Sequence, residues 1–357
     1  AGAAQIAYSD KTDASVKINN QGSVDFEANA KAVSGSSAPG TNNAVAAAGF
    51  LTGTVQVAWA ETTASANLTN AATANAAGPA TITGAAKATA TGVYGATAAA
   101  GFGAGMAQLA VGDTKANSTI SNSGVIDYSA SAKATTNGTA LTGDDANAYG
   151  GFLVGSVQAA VATEGDAVAL LTNNAGAELN IHATVSANGA EDAWAYGVGL
   201  AGVGQVAYGE KSATATLTND GAVDVGVTVN AVAVADQAQA YALTGVGIGQ
   251  AAVAGTDGAA SVSLANGVDG TVDIGALANA TGKNVASATA ILGAGIAQVA
   301  YAAGTAGTAA VSLTNDGAIS LNVGAHAVAA SSAGAGAILA SGIDQIAVAS
   351  SGTASVE

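Results

Sequence analysis

The stretch LTNDGAVDVGVTVNAVAVA (217–235) decides how the rest of the chain is read. From Ala222 onward, Val or Ala takes every second position: Val223, Val225, Val227, Val229, Ala231 and Ala233. Period two sends successive side chains to opposite faces of a sheet. The Asn219-Asp220-Gly221 before it is a turn signal, because Asn and Gly accept the left-handed backbone. TATLT (214–218), VSLTN (311–315) and VDFEANAKA (24–32) alternate in the same way. Ala favours helix intrinsically. Here, however, Gly, Thr, Val and Ser interrupt every Ala run, and no run carries a 3.6-residue apolar stripe. The reading is strand.

The stretch recurs along the chain. An Asn two positions after Leu or Ile stands at Asn20, Asn70, Asn122, Asn173, Asn219, Asn266 and Asn315. A Gln followed by small apolar residues lies 14 to 17 residues earlier each time, at Gln5, Gln56, Gln108, Gln158, Gln205, Gln250 and Gln298, and an eighth is Gln345. A Gly precedes each of the last seven by three positions: Gly53, Gly105, Gly155, Gly202, Gly247, Gly295 and Gly342. Self-similarity at a fixed period marks a repeat architecture. We read residues 1–357 as one continuous array of seven repeats of about 48 residues. They run 5–55, 56–107, 108–157, 158–204, 205–249, 250–297 and 298–344, with a partial eighth at 345–357.

A weaker echo lies inside each repeat: LTNDG at 217 overlays LTGVG at 243. One repeat therefore reads either as two related coils of roughly 24 residues or as one wide coil, at a rise of about 4.8 Å per coil. Either way the expected fold is all-β, a parallel β-helix whose strands stack coil on coil and whose backbone groups pair with the coils above and below. A narrow interior explains the bias to Ala, Val, Gly and Thr. The Asn column, and the Gln column with it, are expected to be structural amide ladders that hold register. The Gly column is expected at a bend or where another backbone approaches.

Composition excludes several functions. The chain has no Cys, only His182 and His326, no Arg, 8 Lys and 24 acidic residues, for a formal net charge of −16. Thiol, zinc and iron–sulfur chemistry lack their ligands. Nucleic acid lacks the basic surface it needs. With 50% hydrophobic residues, disorder is also excluded. Segments 93–112 and 285–304 are free of charge, yet each carries the Gly and Gln anchors, so they read as repeat and not as membrane spans. A β-helix lyase or hydrolase needs clustered carboxylates with basic partners, and the chain is poor in the latter. Thr pairs such as Thr89 and Thr91, or Thr214 and Thr216, suggest an ice-binding face but do not persist through the repeats. The N-x-S/T triplets at Asn67, Asn117, Asn137 and Asn279 are expected by chance in so Thr-rich a chain.

LTNDGAISL (313–321), ISNSGVIDY (120–128) and LTNDGAVDV (217–225) resemble the Asn-x-Gly-x-Ile rungs of secreted bacterial β-helix proteins. These are autotransporter passenger domains, filamentous-haemagglutinin-like adhesins and large Ala/Gly-rich repetitive surface proteins. The resemblance extends through all seven repeats as a style. It departs in the longer repeat and the abundance of Ala. It implies export to the cell exterior and a role in adhesion or surface structure.

The expectation is a non-enzymatic extracellular structural protein: a stiff solenoid segment of a bacterial surface fibre, filament or adhesin stalk. It belongs to a processed or longer protein and has copies of itself as partners. No catalytic, metal or cofactor residue is assigned. Calcium bridging between acidic turns (Asp144, Asp145, Asp220, Asp257, Asp269, Asp316) is kept as a candidate. The alternative is an adhesin module gripping a surface glycan or host protein through the divergent insertions at 34–43 and 135–146.

Overall fold

A computed structural model describes residues 2–10, 12–35, 43–72, 78–138 and 144–357. The insertion centres at 36–42 and 139–143 lie outside the described residues. The described residues form 23 strands and no helix. The charge-free segments 93–112 and 285–304 fall on the strands Gly95–Gly112 and Val285–Ala303, and among the described residues no helix is long and apolar enough to cross a membrane.

Three strands make a coil. Starting inside the fifth coil, they are a long strand, Ala193–Gly209, a short strand, Ser212–Asn219, and a medium strand, Ala222–Ala233. Gln237–Thr256 then begins the next long strand. Long strands pair only with long strands, short with short and medium with medium, always parallel and in chain order. The result is a parallel β-solenoid of one long and one short eight-stranded sheet and a seven-stranded medium sheet.

Register settles the coil size. Gln205 pairs with Gln158 on one side and Gln250 on the other, and Asn219 with Asn173 and Asn266. A repeat of about 48 residues is therefore one wide coil, not two. Eight rungs of the long sheet span about 34 Å along the axis.

Alternation places the interior. In Ala222–Ala233 the residues Val223, Val225, Val227, Val229, Ala231 and Ala233 are all buried. Two apolar spaces result. Between the long and medium sheets the core holds Tyr128, Ile181, Val225 and Ile274. Between the long and short sheets the residues of the apolar cluster are Ala throughout, apart from Val16, Val262 and Val311, and Ser118 is buried in the same column as Ala169.

The turn glycines have a different cause from the one the sequence suggests. Among the described residues only Gly176, Gly304 and Asp257 have positive φ. Gly221 needs space instead: a Cβ there would meet the Asn174 carbonyl at 2.6 Å and the Asn173 amide nitrogen at 2.9 Å.

Candidate functional site: amide ladders and outer faces

Each short strand ends at the ladder Asn, where the chain turns into the medium sheet. The Asn219 Nδ2 donates to Asn266 Oδ1 at 2.7 Å and to the Thr271 carbonyl at 3.0 Å. The same pair of bonds repeats from Asn20 to Asn70, Asn122, Asn173, Asn219, Asn266 and Asn315, with amide-to-amide distances of 2.7–2.9 Å. Both hydrogens of each donor are used. The carbonyl partner also fixes which amide atom is nitrogen. Donors point toward the following coil.

The Gln column is not at a corner. It lies inside the solenoid, in the last third of the long strand, and Gln56, Gln108, Gln158, Gln205, Gln250 and Gln298 are buried. Gln205 Nε2 donates to Gln158 Oε1 and to the Thr216 carbonyl, both at 2.9 Å. Gln345 donates likewise to Gln298. Donors in this ladder point toward the preceding coil, opposite to the Asn ladder. The column opens at its first rung: Gln56 donates to the Asn67 carbonyl, and the buried Gln5 Oε1 has no partner.

The Gly column faces inward beneath the bulky residues of the medium sheet. A Cβ on Gly202 would stand 2.5 Å from both the Gly247 carbonyl oxygen and Val225 Cγ1. Gly53 and Gly105 lie against Tyr128, Gly155 against Ile181, Gly247 against Ile274, and Gly295 and Gly342 against Leu321. Close approach, not a left-handed bend, sets this column. Two aromatic groups escaped the sequence reading because their register needed the coil. Phe50, Phe102 and Phe152 stack inside, with centroids 5.2 and 5.6 Å apart, and Tyr149 and Tyr196 stack outside at 5.8 Å.

The outer faces differ in charge. The medium-sheet strands carry nine charged residues, among them Asp127, Asp224 and Asp273 in one outward column. His182 is the most engaged titratable group. Its Nε2 lies 3.3 Å from Asp224 Oδ2. Burial alone would lower its pKa, but the hydrogen bond and charge of Asp224, with Asp127 and Asp273 nearby, hold it above the ordinary value. Burial raises the Asp127 carboxyl, an effect His182 opposes. A 460 Å³ groove beside this cluster runs over Gly226 and Gly275 and is walled by His182, Asp224, Asp273 and Asn322. His326 stands in a different column, opposite Asn279.

Of the acidic turn residues, Asp257 is the one whose partners are clearest. Its carboxylate accepts the backbone N–H groups of Thr305 and Ala306 in the next coil, which lowers its pKa. Among the described residues no group of three or more His, Asp or Glu is arranged to hold a metal ion. The Thr pairs form no continuous row, since Thr89 pairs with Lys31 and Lys133.

The long sheet is the opposite case. Its eight strands contain two charged residues, Asp145 and Asp344. Its outward positions include the exposed Leu51, Trp59, Leu153, Leu200, Val206 and Tyr208. An open apolar groove of 610 Å³ runs past Phe102, Phe152, Leu153 and Leu200, just before the break in in–out alternation where consecutive residues are buried, at Gly155–Ser156 and Gly202–Val203.

No protein-family model matches this chain, and neither the curated proteins nor the solved structures searched contain a match.

Proposed function

We propose that the chain is a non-enzymatic extracellular structural protein, a stiff solenoid segment of a bacterial surface fibre, filament or adhesin stalk that associates with copies of itself. One observation carries the reading: hydrogen-bonded side-chain columns run the length of the coil stack. They occupy the polar groups that a binding or catalytic interior would leave available. A carboxylate pair with basic partners, which polysaccharide cleavage would use, has no counterpart among the described residues: His182 sits among carboxylates, and the one Lys–carboxylate pair there is Lys87 with Glu27. Continuous main-chain ladders give stiffness and resistance to proteases. The −16 charge keeps rods soluble until they meet in the right orientation.

Electron microscopy and diffraction of the purified chain test this. Rods or filaments with a meridional reflection near ~4.8 Å are expected. Dispersed particles that bind a glycan array would replace it with the adhesin reading.

A further inference from the structure

We infer that the outer face of the long sheet is a lateral interface that receives the same face of a second copy of this chain. The inference rests on the self-associating structural reading above and specifies the surface that reading would use.

The half of the long sheet beyond this break in alternation is regular. Residues 54–60 pair one-to-one with 3–9 and with 106–112, and the same register continues to the eighth coil. One outward column carries Val57, Val206 and Val299, and the next carries Trp59, Tyr208 and Tyr301. In the interior coils Val206, Tyr208, Val299 and Tyr301 are still 38–43% exposed, so nothing in the chain itself covers them. Apolar area left in water at this scale marks an interaction surface.

The occupant follows from area and charge. Seven residues by eight rungs measure roughly 20 Å by 35 Å, about 700 Å². The part before the break, with Tyr149, Tyr196 and the groove beside Leu153 and Leu200, adds a comparable area. The whole face therefore exceeds the about 800 Å² per partner of a stable specific interface. Like-charged rods repel through the acidic turns and, more weakly, through the medium sheet, whose strands carry six carboxylates against three Lys. The short-sheet strands carry Lys17, Lys115 and Asp166, but their outward positions are polar, as at Thr63, Ser65 and Asn67; low charge and an apolar surface coincide on the long sheet, whose strands hold Asp145 and Asp344 as their charged residues. Relief is self-complementary as well: Trp59, Tyr208 and Tyr301 protrude in a column that also holds the smaller Val111, Val161 and Val253. A copy turned by a two-fold axis can set its large rungs against the small ones, at the ~10 Å spacing of packed sheets.

Light scattering and sedimentation of the full chain over a concentration series test this. The wild type is expected to form dimers or laterally paired rods. The double variant Val206→Lys/Val299→Lys should associate at least about tenfold more weakly, since each buried, unpaired charge opposes the contact. Thr184→Lys/Thr228→Lys, outward on the medium sheet, should associate as the wild type does. Circular dichroism and melting temperature should be unchanged in both pairs. As a check independent of lysine tolerance, the chain has no native cysteine. A spin label at Val206→Cys should become immobilised and dipole-coupled on association, while one at Thr228→Cys should not. If the lysine variant on the long sheet still pairs, or both pairs weaken equally, the face is wrong while the structural reading stands. A wild type that stays monomeric at every concentration removes both. A monomer that instead binds phosphatidylcholine vesicles through the Val206 label would reassign the face to a lipid surface.

Discussion

The long sheet closes over two interiors that differ in width. Toward the medium sheet the space is wide enough for Tyr128, Ile181 and Ile274, and the facing long strand supplies Gly105, Gly155 and Gly247 opposite them. Toward the short sheet the space is a wedge filled by Ala207, Ala213 and Ala252 and their counterparts on other rungs. The Gln ladder runs along the border. Val203 faces the wide core, Ala207 faces the wedge, and Gln205 stands between them with its amide bonded across to the Thr216 carbonyl. The Ala and Gly of this chain thus have separate causes. Ala fits where two sheets converge, whereas Gly fits where a large side chain and a neighbouring carbonyl press on one Cα.

The sharpest way to break this contrast is Gly247→Val. Its Cβ would lie 2.7 Å from the Gly295 carbonyl and against Ile274. Because the carbonyl belongs to the sheet ladder, no rotamer change relieves the clash, and a loss of more than ~3 kcal/mol is expected. Thermal melting together with hydrogen exchange at coils five to seven measures it. Trimming Ile274 to Ala in the same chain should recover only part, since the carbonyl remains. Full recovery would show that the side chain alone sets the Gly.

Ala213→Leu probes the wedge. Its column is Ala64, Ala116, Ala167, Ala213, Ala260 and Ala309, with no larger residue on any of these rungs. A loss of ~2–3 kcal/mol is expected. Ala215→Val is the control, because Val262 already occupies the next rung of that column, and it should cost under ~1 kcal/mol. Equal losses at both positions would mean that the wedge has uniform width.

Much of this was legible in the chain. Alternation at 222–233 assigns the inward side chains, and the spacing of Asn and Gln anchors aligns the rungs. The size of the coil was not legible. LTNDG at 217 and LTGVG at 243 look alike because each has a Gly held against another coil's carbonyl: Gly221 against Ala177, Gly247 against Gly295. One composition therefore serves two unrelated places. The position of the Gln column was hidden for a related reason. Period two tells that Gln205 shares a face with Ala207, but it does not tell whether that face is inside. The partnership of Tyr128 with Gly105 crosses the core, and no local spacing encodes it. The charge-poor face was visible as the blank segments 93–112 and 285–304, although its extent emerges only once the rungs are stacked.

Removing the border itself should cost less than overfilling either space. In Gln205→Leu the Gln250 Nε2 and Gln158 Oε1 each lose a buried partner, and the Thr216 carbonyl loses its side-chain donor. A net cost of ~1–2 kcal/mol is expected, the penalty of the unsatisfied groups being partly offset by the apolar replacement. Hydrogen exchange should rise in the long strands on either side. The reverse substitution is Ser156→Val. Ser156 is buried on the wide-core side with an unpartnered hydroxyl, in a column whose adjacent rungs are Met106 and Val203. It should gain ~1 kcal/mol.

The smallest expected effect belongs to the outer surface, where water limits every interaction. His182 takes its raised pKa from the Asp224 hydrogen bond and the charges of Asp224, Asp127 and Asp273, against burial. A group that holds its proton more tightly when folded stabilises fully below its unfolded pKa of 6.5 and loses that contribution as pH rises through the folded value. Asp127 is also raised, chiefly by burial, with His182 opposing. Melting of the wild type should therefore fall slightly as the pH rises above 6.5, and His182→Gln should flatten the slope there. With both partners over a third exposed, the difference should stay within ~1–2 °C. A slope that persists in His182→Gln would trace the dependence to another group, whereas a shift many times larger would mean that this face, too, is buried in an assembly.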